Sequence, residues 1–263
     1  MSDLDLSPSL AKELETLALA CRVLAMEGHD DVSLGHLSLR DPEGRGFWMK
    51  RFFLGLDEIM GPDDFVLLDF EGNILAGQGE RHSEWPIHSE ILLARDDVNV
   101  VGHSHPFHAC LFAATQEELA AIGQEGIHFA GNTPHYRDTS DLIDTKPLGQ
   151  DLAAALGDAK VVFMKNHGVT FCGPSIADAT ITGIYVEKAC RAQLVLNGSG
   201  LEWNVPERSE TDGKAVNLGA MGLWANFFAY YVRKLLRHEG APDESERRRA
   251  ETMSWKRGQQ NLS

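Results

Sequence analysis

The sequence lacks the motifs that mark several large classes of protein. It has only four cysteines, and no two of them form a C-x-x-C pair. It contains neither a G-x-G-x-x-G fingerprint nor a phosphate-binding P-loop, so nothing in it supports nucleotide binding. No uncharged apolar run is long enough to cross a bilayer, and the N-terminal residues show no signal-peptide pattern. We therefore expect a cytoplasmic protein whose cysteines are reduced and buried.

Basic residues are also scarce. The chain has 39 acidic residues against 24 basic ones, which gives a net charge of −15. Such a surface repels phosphate backbones and anionic lipids, so we expect neither a nucleic-acid nor a membrane partner. With 263 residues, of which 43% are hydrophobic, the chain can form a full core. We assign residues 1–240 to a single domain and residues 241–263 to a charged C-terminal tail.

Helical and strand patterns are mixed along the chain. Apolar residues recur every three or four positions after Ser7-Pro8, which indicates a helix that begins there. Polar and apolar residues alternate over residues 31–40, and residues 47–50 read as the hairpin partner of that strand. The other helices are predicted at residues 86–95, 106–114, 117–122, 149–156, 175–196 and 215–237. The other strands are predicted at residues 65–69, 74–76, 98–103, 160–165 and 169–171. This mixture favours one α/β domain with a largely antiparallel sheet.

The most informative feature is the pair His103 and His105 at the end of a strand pattern. Side chains alternate along a strand, so both imidazoles lie on one side of the backbone and can offer two nitrogen ligands to one transition metal. His167 lies in a turn between two strands, and Glu84 precedes a helix. Three imidazoles with an open position are typical of a catalytic metal site. The spacing alone leaves open that these histidines are only hydrogen-bonded side chains.

Four motifs together resemble the class II aldolase/adducin family over about residues 10–197. They are Gly35-His36-Leu37-Ser38, Ser83-Glu84 with His88, His103-Ser104-His105-Pro106, and Asn166-His167-Gly168. The resemblance implies a three-layer α/β/α fold around a mainly antiparallel sheet, and a homotetramer with active sites near subunit interfaces. It also implies that His103, His105 and His167 bind the metal and that Glu84 is the catalytic carboxylate. His88 is expected to be packed rather than a ligand.

Two departures from the sugar-phosphate members of this family bear on the substrate. His36 stands where those members have asparagine, and Arg81-His82-Ser83 precedes Glu84 where they have small hydroxyl residues. Cationic or hydrogen-bonding groups suit a planar carboxylate better than a phosphate. We therefore expect His36, Arg81, His82 and Ser83 to bind a small-molecule acid. The same features are similar to relatives that decarboxylate hydroxylated aromatic acids.

The expected activity is that of a metal-dependent carbon–carbon lyase. The first hypothesis is non-oxidative decarboxylation of a hydroxy-aromatic or oxo acid through a metal-stabilised enolate or phenolate. Glu84 is the first candidate for the proton donor. A histidine or a tyrosine, either Tyr136 or Tyr230 or Tyr231 of a neighbouring subunit, is the second. The alternatives are an aldolase for a non-phosphorylated hydroxy-carbonyl compound and a non-catalytic adducin-like binding domain. A metal-dependent hydrolase would use the same three histidines, but the sequence shows no bridging carboxylate or nucleophile motif that supports this activity. Zinc is the expected metal, with manganese, iron, cobalt or magnesium as the alternatives.

Overall fold

The computed structural model describes residues 6–207, 209–211, 213–214 and 222–240. The helices are α1 (Pro8–Leu24), α2 (Trp85–Ala94), α3 (Phe107–Ala113), α4 (Gly123–Gly126), α5 (Lys146–Leu156), α6 (Ile176–Ser199) and α7 (Leu223–His238). The strands are β1 (His36–Arg40), β2 (Phe47–Lys50), β3 (Phe65–Leu68), β4 (Ile74–Ala76), β5 (Val100–Ser104), β6 (His135–Tyr136), β7 (Val161–Met164) and β8 (Val169–Gly173). A π turn, Ala25–His29, extends α1, and two 3-10 turns, Leu56–Glu58 and Pro62–Asp64, precede β3.

These strands form one eight-stranded sheet in the order β4-β3-β2-β1-β5-β8-β7-β6. Neighbouring strands are antiparallel except for β6 and β7, which are parallel. The prediction of a mainly antiparallel sheet is therefore confirmed. The central strand β5 pairs with β1 on one side and with β8 on the other, so the chain segments that carry three of the four motifs meet at its end.

Helices cover both faces of the sheet, as the three-layer prediction requires. Successive side chains on a strand point to opposite faces. Trp48 and Val100 accordingly belong to the hydrophobic core that the sheet forms with α1, α3, α6 and α7. Their neighbours Met49 and Val101 belong to a second core with α2 and α5. No helix in the described part of the chain is long and apolar enough to span a membrane.

Two local predictions were wrong. Residues 117–122 form no helix, because the backbone N–H groups of Leu119 and Ala120 donate to the side chains of Thr133 and Gln193 instead of to carbonyls one turn back. Residues 31–35 form a turn before β1 rather than the first half of the strand. The predicted helix over 215–237 is described only from residue 222 onward as α7, and the tail 241–263 lies outside the described residues.

Candidate metal centre

The three histidines of the predicted metal site lie together at the ends of β5 and β7. His103 is on β5 and pairs in register with Thr170 on β8. His105 follows two residues later, and the two Nε2 atoms are 3.0 Å apart. His167 lies in the turn between β7 and β8, where Asn166 adopts a left-handed φ of +49°. One ligand atom from each of the three histidines lies within 4.8 Å of the others, a spacing that could hold a metal ion.

The outer nitrogens of His103 and His105 are hydrogen-bonded to fixed acceptors. Nδ1 of His105 donates to the carboxylate of Asp31 at 2.9 Å. Nδ1 of His103 lies 3.3 Å from the hydroxyl oxygen of Thr170, whose own proton is directed at the sulfur of Met164 at 3.2 Å. Both rings therefore carry their proton on Nδ1, and both Nε2 lone pairs face the same space. Two lone pairs at 3.0 Å repel each other unless a cation lies between them, so this donor pair fits a bound metal.

The third histidine has a less complete set of partners. Nδ1 of His167 is buried and makes no hydrogen bond within the described residues, while Nε2 lies 3.9 Å from Oε1 of Glu84. Gly168 lets the turn approach the other two ligands, because a Cβ at this position would lie 2.5 Å from Cδ2 of His105 and 2.6 Å from the carbonyl oxygen of Ser104. Only glycine allows this packing.

Glu84 lies at the N-terminal end of α2 and faces the histidines. Its Oε2 is 3.6 Å from Nε2 of His103, and its Oε1 accepts a hydrogen bond from the backbone N–H of Ile143 at 2.9 Å. Burial, and to a lesser degree the charge of Asp144, raises the pKa of Glu84 to about 7, although the Ile143 N–H acts in the opposite direction. A carboxyl group with this pKa can hold or release a proton near neutral pH.

Burial keeps His103 and His167 neutral. It lowers the pKa of His103 well below its usual value and that of His167 to about 4, and neighbouring imidazoles add to both effects. A neutral imidazole is the form that binds a metal. Three imidazoles beside a carboxylate are a donor set that suits a borderline divalent ion.

His36 lies beside this cluster but belongs to a different hydrogen-bond arrangement. Its Nε2 is 3.9 Å from Oε2 of Glu84, and its Nδ1 is 2.7 Å from Nε2 of His88. His88 in turn lies 2.6 Å from the hydroxyl of Ser38, so it is packed, as the sequence predicted. His36, Glu84 and His103 form a second group whose ligand atoms lie within 4.8 Å of one another.

The segment before Glu84 is only partly directed into the site. The ring of His82 lies 4.6 Å from that of His36, and burial lowers the pKa of His82 to about 2. Burial also holds the pKa of His36 well below its usual value, so both rings are neutral hydrogen-bonding groups rather than cations. The guanidinium of Arg81 lies over the ring of Trp85 at 5.2 Å, and Ser83 is exposed.

Tyr136 lies on β6, within the hydrophobic core on the α2 side of the sheet. Its hydroxyl is buried and makes no hydrogen bond within the described residues. Burial raises the pKa of Tyr136, as do the charges of Asp138 and Asp151.

Sequence reasoning missed three groups that contact the site residues. The sequence pattern places Asp31 at the start of a strand, Thr170 within a strand and Ser38 in a motif, and it predicts no contact of any of them with the histidines. Asp31 lies 74 positions from His105 and Thr170 lies 67 positions from His103. No local pattern signals contacts over such separations.

Comparisons with known proteins agree with this arrangement. The family model described as "Class II Aldolase and Adducin N-terminal domain" matches residues 15–194. A 3,4-dihydroxyphthalate decarboxylase from Arthrobacter keyseri is 32% identical over 212 residues, covering 71% of this chain and 79% of that protein. An aldolase II superfamily protein from Pseudomonas syringae has a structure similar to this one, with a TM-score of 0.79, 27% identity, and coverage of 89% of this chain and 96% of that one. An L-fuculose 1-phosphate aldolase from Glaciozyma antarctica PI12 gives a TM-score of 0.77 at 26% identity, with coverage of 91% and 95% respectively.

Proposed function

This chain belongs to the class II aldolase and adducin family, and from that premise we propose that it is a metal-dependent carbon–carbon lyase that decarboxylates a hydroxy-aromatic or oxo acid. The observation that carries the proposal is the buried cluster of neutral imidazoles beside Glu84, with His36 rather than an amide at its edge. The likeness to a 3,4-dihydroxyphthalate decarboxylase supports the choice of reaction.

We assign the metal to His103, His105 and His167, with zinc as the expected ion and manganese, iron, cobalt or magnesium as alternatives. The bound ion supplies a Lewis acid that stabilises negative charge on adjacent oxygens of the substrate. Neutral ligands support this role because they leave most of the positive charge of the ion uncompensated. Asp31 and Thr170 orient His105 and His103 so that their lone pairs face the ion.

Glu84 is the proposed proton donor. When the carbon–carboxylate bond breaks, its electron pair remains with the substrate, and CO₂ leaves. The carbon that carried the carboxylate then takes a proton, and the carboxyl group of Glu84 can supply it because burial raises its pKa to about 7. Tyr136 remains a second candidate for this step, since its buried hydroxyl makes no hydrogen bond within the described residues.

Arg81, His82, Ser83 and His36 are proposed to bind the small-molecule acid. Arg81 supplies the positive charge, because His36 and His82 are held neutral. A guanidinium can pair with both oxygens of a carboxylate, and its position over Trp85 limits its freedom.

The assembly is proposed to be a homotetramer with interfacial active sites, which would allow the half-exposed Tyr230 of a neighbouring subunit to reach the substrate. Tyr231 is buried in the core of its own subunit, where its hydroxyl accepts a hydrogen bond from Nζ of Lys188 at 2.6 Å, so the structure does not favour it for this role.

An aldolase acting on a non-phosphorylated hydroxy-carbonyl compound is the second candidate. Its support is the structural likeness to an L-fuculose 1-phosphate aldolase, since the same histidine and carboxylate set suits both reactions. A non-catalytic adducin-like domain is the third, and it has no need for neutral imidazoles around a buried carboxylate.

The deciding experiment is an assay of zinc-loaded protein with 3,4-dihydroxyphthalate. We expect release of CO₂ and formation of 3,4-dihydroxybenzoate, because the carboxylate next to a hydroxyl is the one whose electron pair can be stabilised. Release of an aldehyde from a hydroxy-carbonyl substrate without CO₂ from any acid would favour the aldolase instead. Absence of a bound metal from purified protein, with no metal uptake on titration, would contradict both enzymes.

Glu84→Gln tests the proton donor within the same assay. The amide keeps the size of the side chain and an acceptor for the Ile143 N–H, but it has no transferable proton. We expect kcat to fall by about 10²- to 10⁴-fold while the metal content is retained. Glu80→Gln, at an exposed position nearby in sequence, is the matched control and should leave kcat unchanged. Equal kcat values for Glu84→Gln and the wild type would remove Glu84 from this role.

A further inference from the structure

Three buried polar side chains extend from the candidate metal centre into the space between the sheet and α2. The hydroxyl of Ser38 lies 2.6 Å from Nδ1 of His88, and Nε2 of His88 lies 2.7 Å from Nδ1 of His36. All three are essentially removed from solvent, at 0–1% exposure. The proposed function uses His36 and assigns nothing to Ser38 or His88.

The geometry of β1 brings these groups into line. His36 and Ser38 are two positions apart on the strand, so their side chains lie on the same face of the sheet. His88 lies in the first turns of α2, which packs over that face. The three side chains therefore form one continuous row of hydrogen bonds that ends at His36.

The protons of this row can be arranged in two ways. In the first, Ser38 donates to Nδ1 of His88, His88 donates from Nε2 to Nδ1 of His36, and His36 carries its own proton on Nε2. In the second, every bond is reversed, and His36 carries its proton on Nδ1. The buried hydroxyl of Ser38 then has no acceptor for its proton among the described residues.

Each arrangement leaves one donor of the row without a partner. The first leaves the Nε2–H of His36, which faces the candidate metal centre, and the second leaves the hydroxyl of Ser38, which is fully buried between the sheet and α2. A buried hydrogen-bond donor without an acceptor destabilises the folded state by the full free energy of its desolvation. The carbonyl of Val101 faces His88 and favours a proton on the ring, and this contact acts against the first arrangement. That carbonyl belongs to the central strand β5, which is paired on both sides, so it has a ladder partner without His88.

We propose that Ser38 and His88 position His36 as a neutral hydrogen-bond donor whose Nε2–H is directed at the candidate metal centre. Nε2 lies 3.9 Å from Oε2 of Glu84 and makes no hydrogen bond within the described part of the chain, so the donor is available to a ligand. Ser38 and His88 are positioning residues, since they act only through His36.

A neutral donor has a specific advantage at this place. It offers one directional hydrogen bond to an anionic oxygen, and no buried cation has to be stabilised when the site is empty. The identity of the acceptor rests on the proposed function: the Nε2–H of His36 donates to an oxygen of the carboxylate that leaves the substrate acid.

Nitrogen-15 NMR of protein with labelled histidine tests the tautomer without any ligand. Long-range proton–nitrogen correlations distinguish a ring protonated on Nδ1 from one protonated on Nε2, and His36→Gln assigns the signal. We expect the wild type to show Nε2–H for both His36 and His88. A wild-type His36 protonated on Nδ1 would overturn the proposal.

Ser38→Ala should reverse the direction of the hydrogen bond between His88 and His36. Without the hydroxyl donor, Nδ1 of His88 takes the proton and donates to the Val101 carbonyl, and His36 changes to the Nδ1–H form. Ser38→Thr keeps a hydroxyl and should retain the wild-type signals. Ser89→Ala is the matched control, because this buried hydroxyl bonds the carbonyl of Pro86 and the side chain of Glu90 rather than His88. An unchanged tautomer in Ser38→Ala would also overturn the proposal.

Kinetics with 3,4-dihydroxyphthalate then test whether the Nε2–H of His36 binds the substrate. Ser38→Ala should raise KM by about 10-fold or more with a smaller effect on kcat, as expected for a lost bond to a charged group. His36→Gln places an amide N–H near the position of Nε2 and does not depend on Ser38, so Ser38→Ala should add nothing in that background. Equal losses in both backgrounds would mean that Ser38 only supports the fold. If no acid is turned over, the proposed function fails, and the NMR result alone decides the tautomer.

Discussion

The carboxylate of Asp31 accepts a hydrogen bond from Nδ1 of His105, with Oδ2 and Nδ1 separated by 2.9 Å. This hydrogen bond connects Asp31, in the turn before β1, to His105, which follows β5. It sets which nitrogen of His105 carries the proton, and it leaves the Nε2 lone pair facing His103.

Replacement of Asp31 should therefore weaken metal binding. We expect Asp31→Ala to lower the affinity for zinc by about 10- to 100-fold, because the ring of His105 loses its fixed orientation and tautomer. Asp31→Asn retains an acceptor oxygen and should lose less. Asp30→Ala removes an exposed neighbouring carboxylate and is the control. Competition titration with a chromogenic chelator measures the affinities, and equal values for the variants at 30 and 31 would contradict this role.

Gly168 provides a steric test of the same centre. A methyl group there would lie 2.6 Å from the carbonyl oxygen of Ser104, which is backbone and cannot rotate away. The turn that carries His167 must then shift, and we expect Gly168→Ala to lose most of its metal. Gly198→Ala adds the same methyl group on α6, where nothing lies within 4 Å. Elemental analysis of the purified variants should show metal only in Gly198→Ala and the wild type; a full complement in Gly168→Ala would mean that the turn adapts.

Tyr136→Phe separates a catalytic hydroxyl from a packed ring. The buried hydroxyl makes no hydrogen bond within the described residues, so its removal should leave the unfolding free energy unchanged or raise it. If Tyr136 takes part in proton transfer, kcat should fall by about 10-fold or more with the stability preserved. Tyr185→Phe changes a partly buried tyrosine to which the site assigns no role and serves for comparison. Urea denaturation and kinetics on the same samples give both quantities, and an unaltered kcat would restrict Tyr136 to packing.

Lys50 should make the stability of the protein depend on alkaline pH. Its ammonium group is buried and donates to the carbonyls of Ser33 and Leu54, and burial lowers its pKa from 10.5 to about 8. Between these two values the unfolded chain binds more protons than the folded one, so the stability contributed at this position rises as pH increases. Below about pH 8 both states are protonated, and the contribution is constant.

Lys50→Met removes this titration. The unfolding free energy of the wild type relative to Lys50→Met should be flat from about pH 6 to 8 and should rise from about pH 8 to 10.5. Urea denaturation across that range measures the difference, and Lys50→Gln can be used if the methionine variant does not fold. Parallel curves for wild type and variant would show that the buried ammonium keeps its ordinary pKa.

Several features of the fold could be predicted because they depend on local geometry. The alternation of a strand placed His103 and His105 on one side, and the hairpin signals around residues 40–47 and 165–169 gave antiparallel pairs. The prediction failed at residues 117–122, where distant side chains of Thr133 and Gln193 satisfy the backbone that a helix would have satisfied. The approach of these two side chains to residues 117–122 depends on how that segment packs in the fold. No pattern within the segment predicts this packing.

The sequence by itself determined the α/β class, the antiparallel pairing and the placing of His103 and His105 on one side at the end of β5, since each follows from a period or a spacing along a few residues. The addition of His167 rested on the resemblance to a family and not on spacing. Only the tertiary structure decided which nitrogens face one another, that Glu84 is buried enough to have a raised pKa, and that Asp31, Thr170 and the Ser38–His88 pair orient the imidazoles. The reason is physical: tautomer and charge are set by desolvation and by partners brought close through packing, and neither is encoded in the order of neighbouring residues.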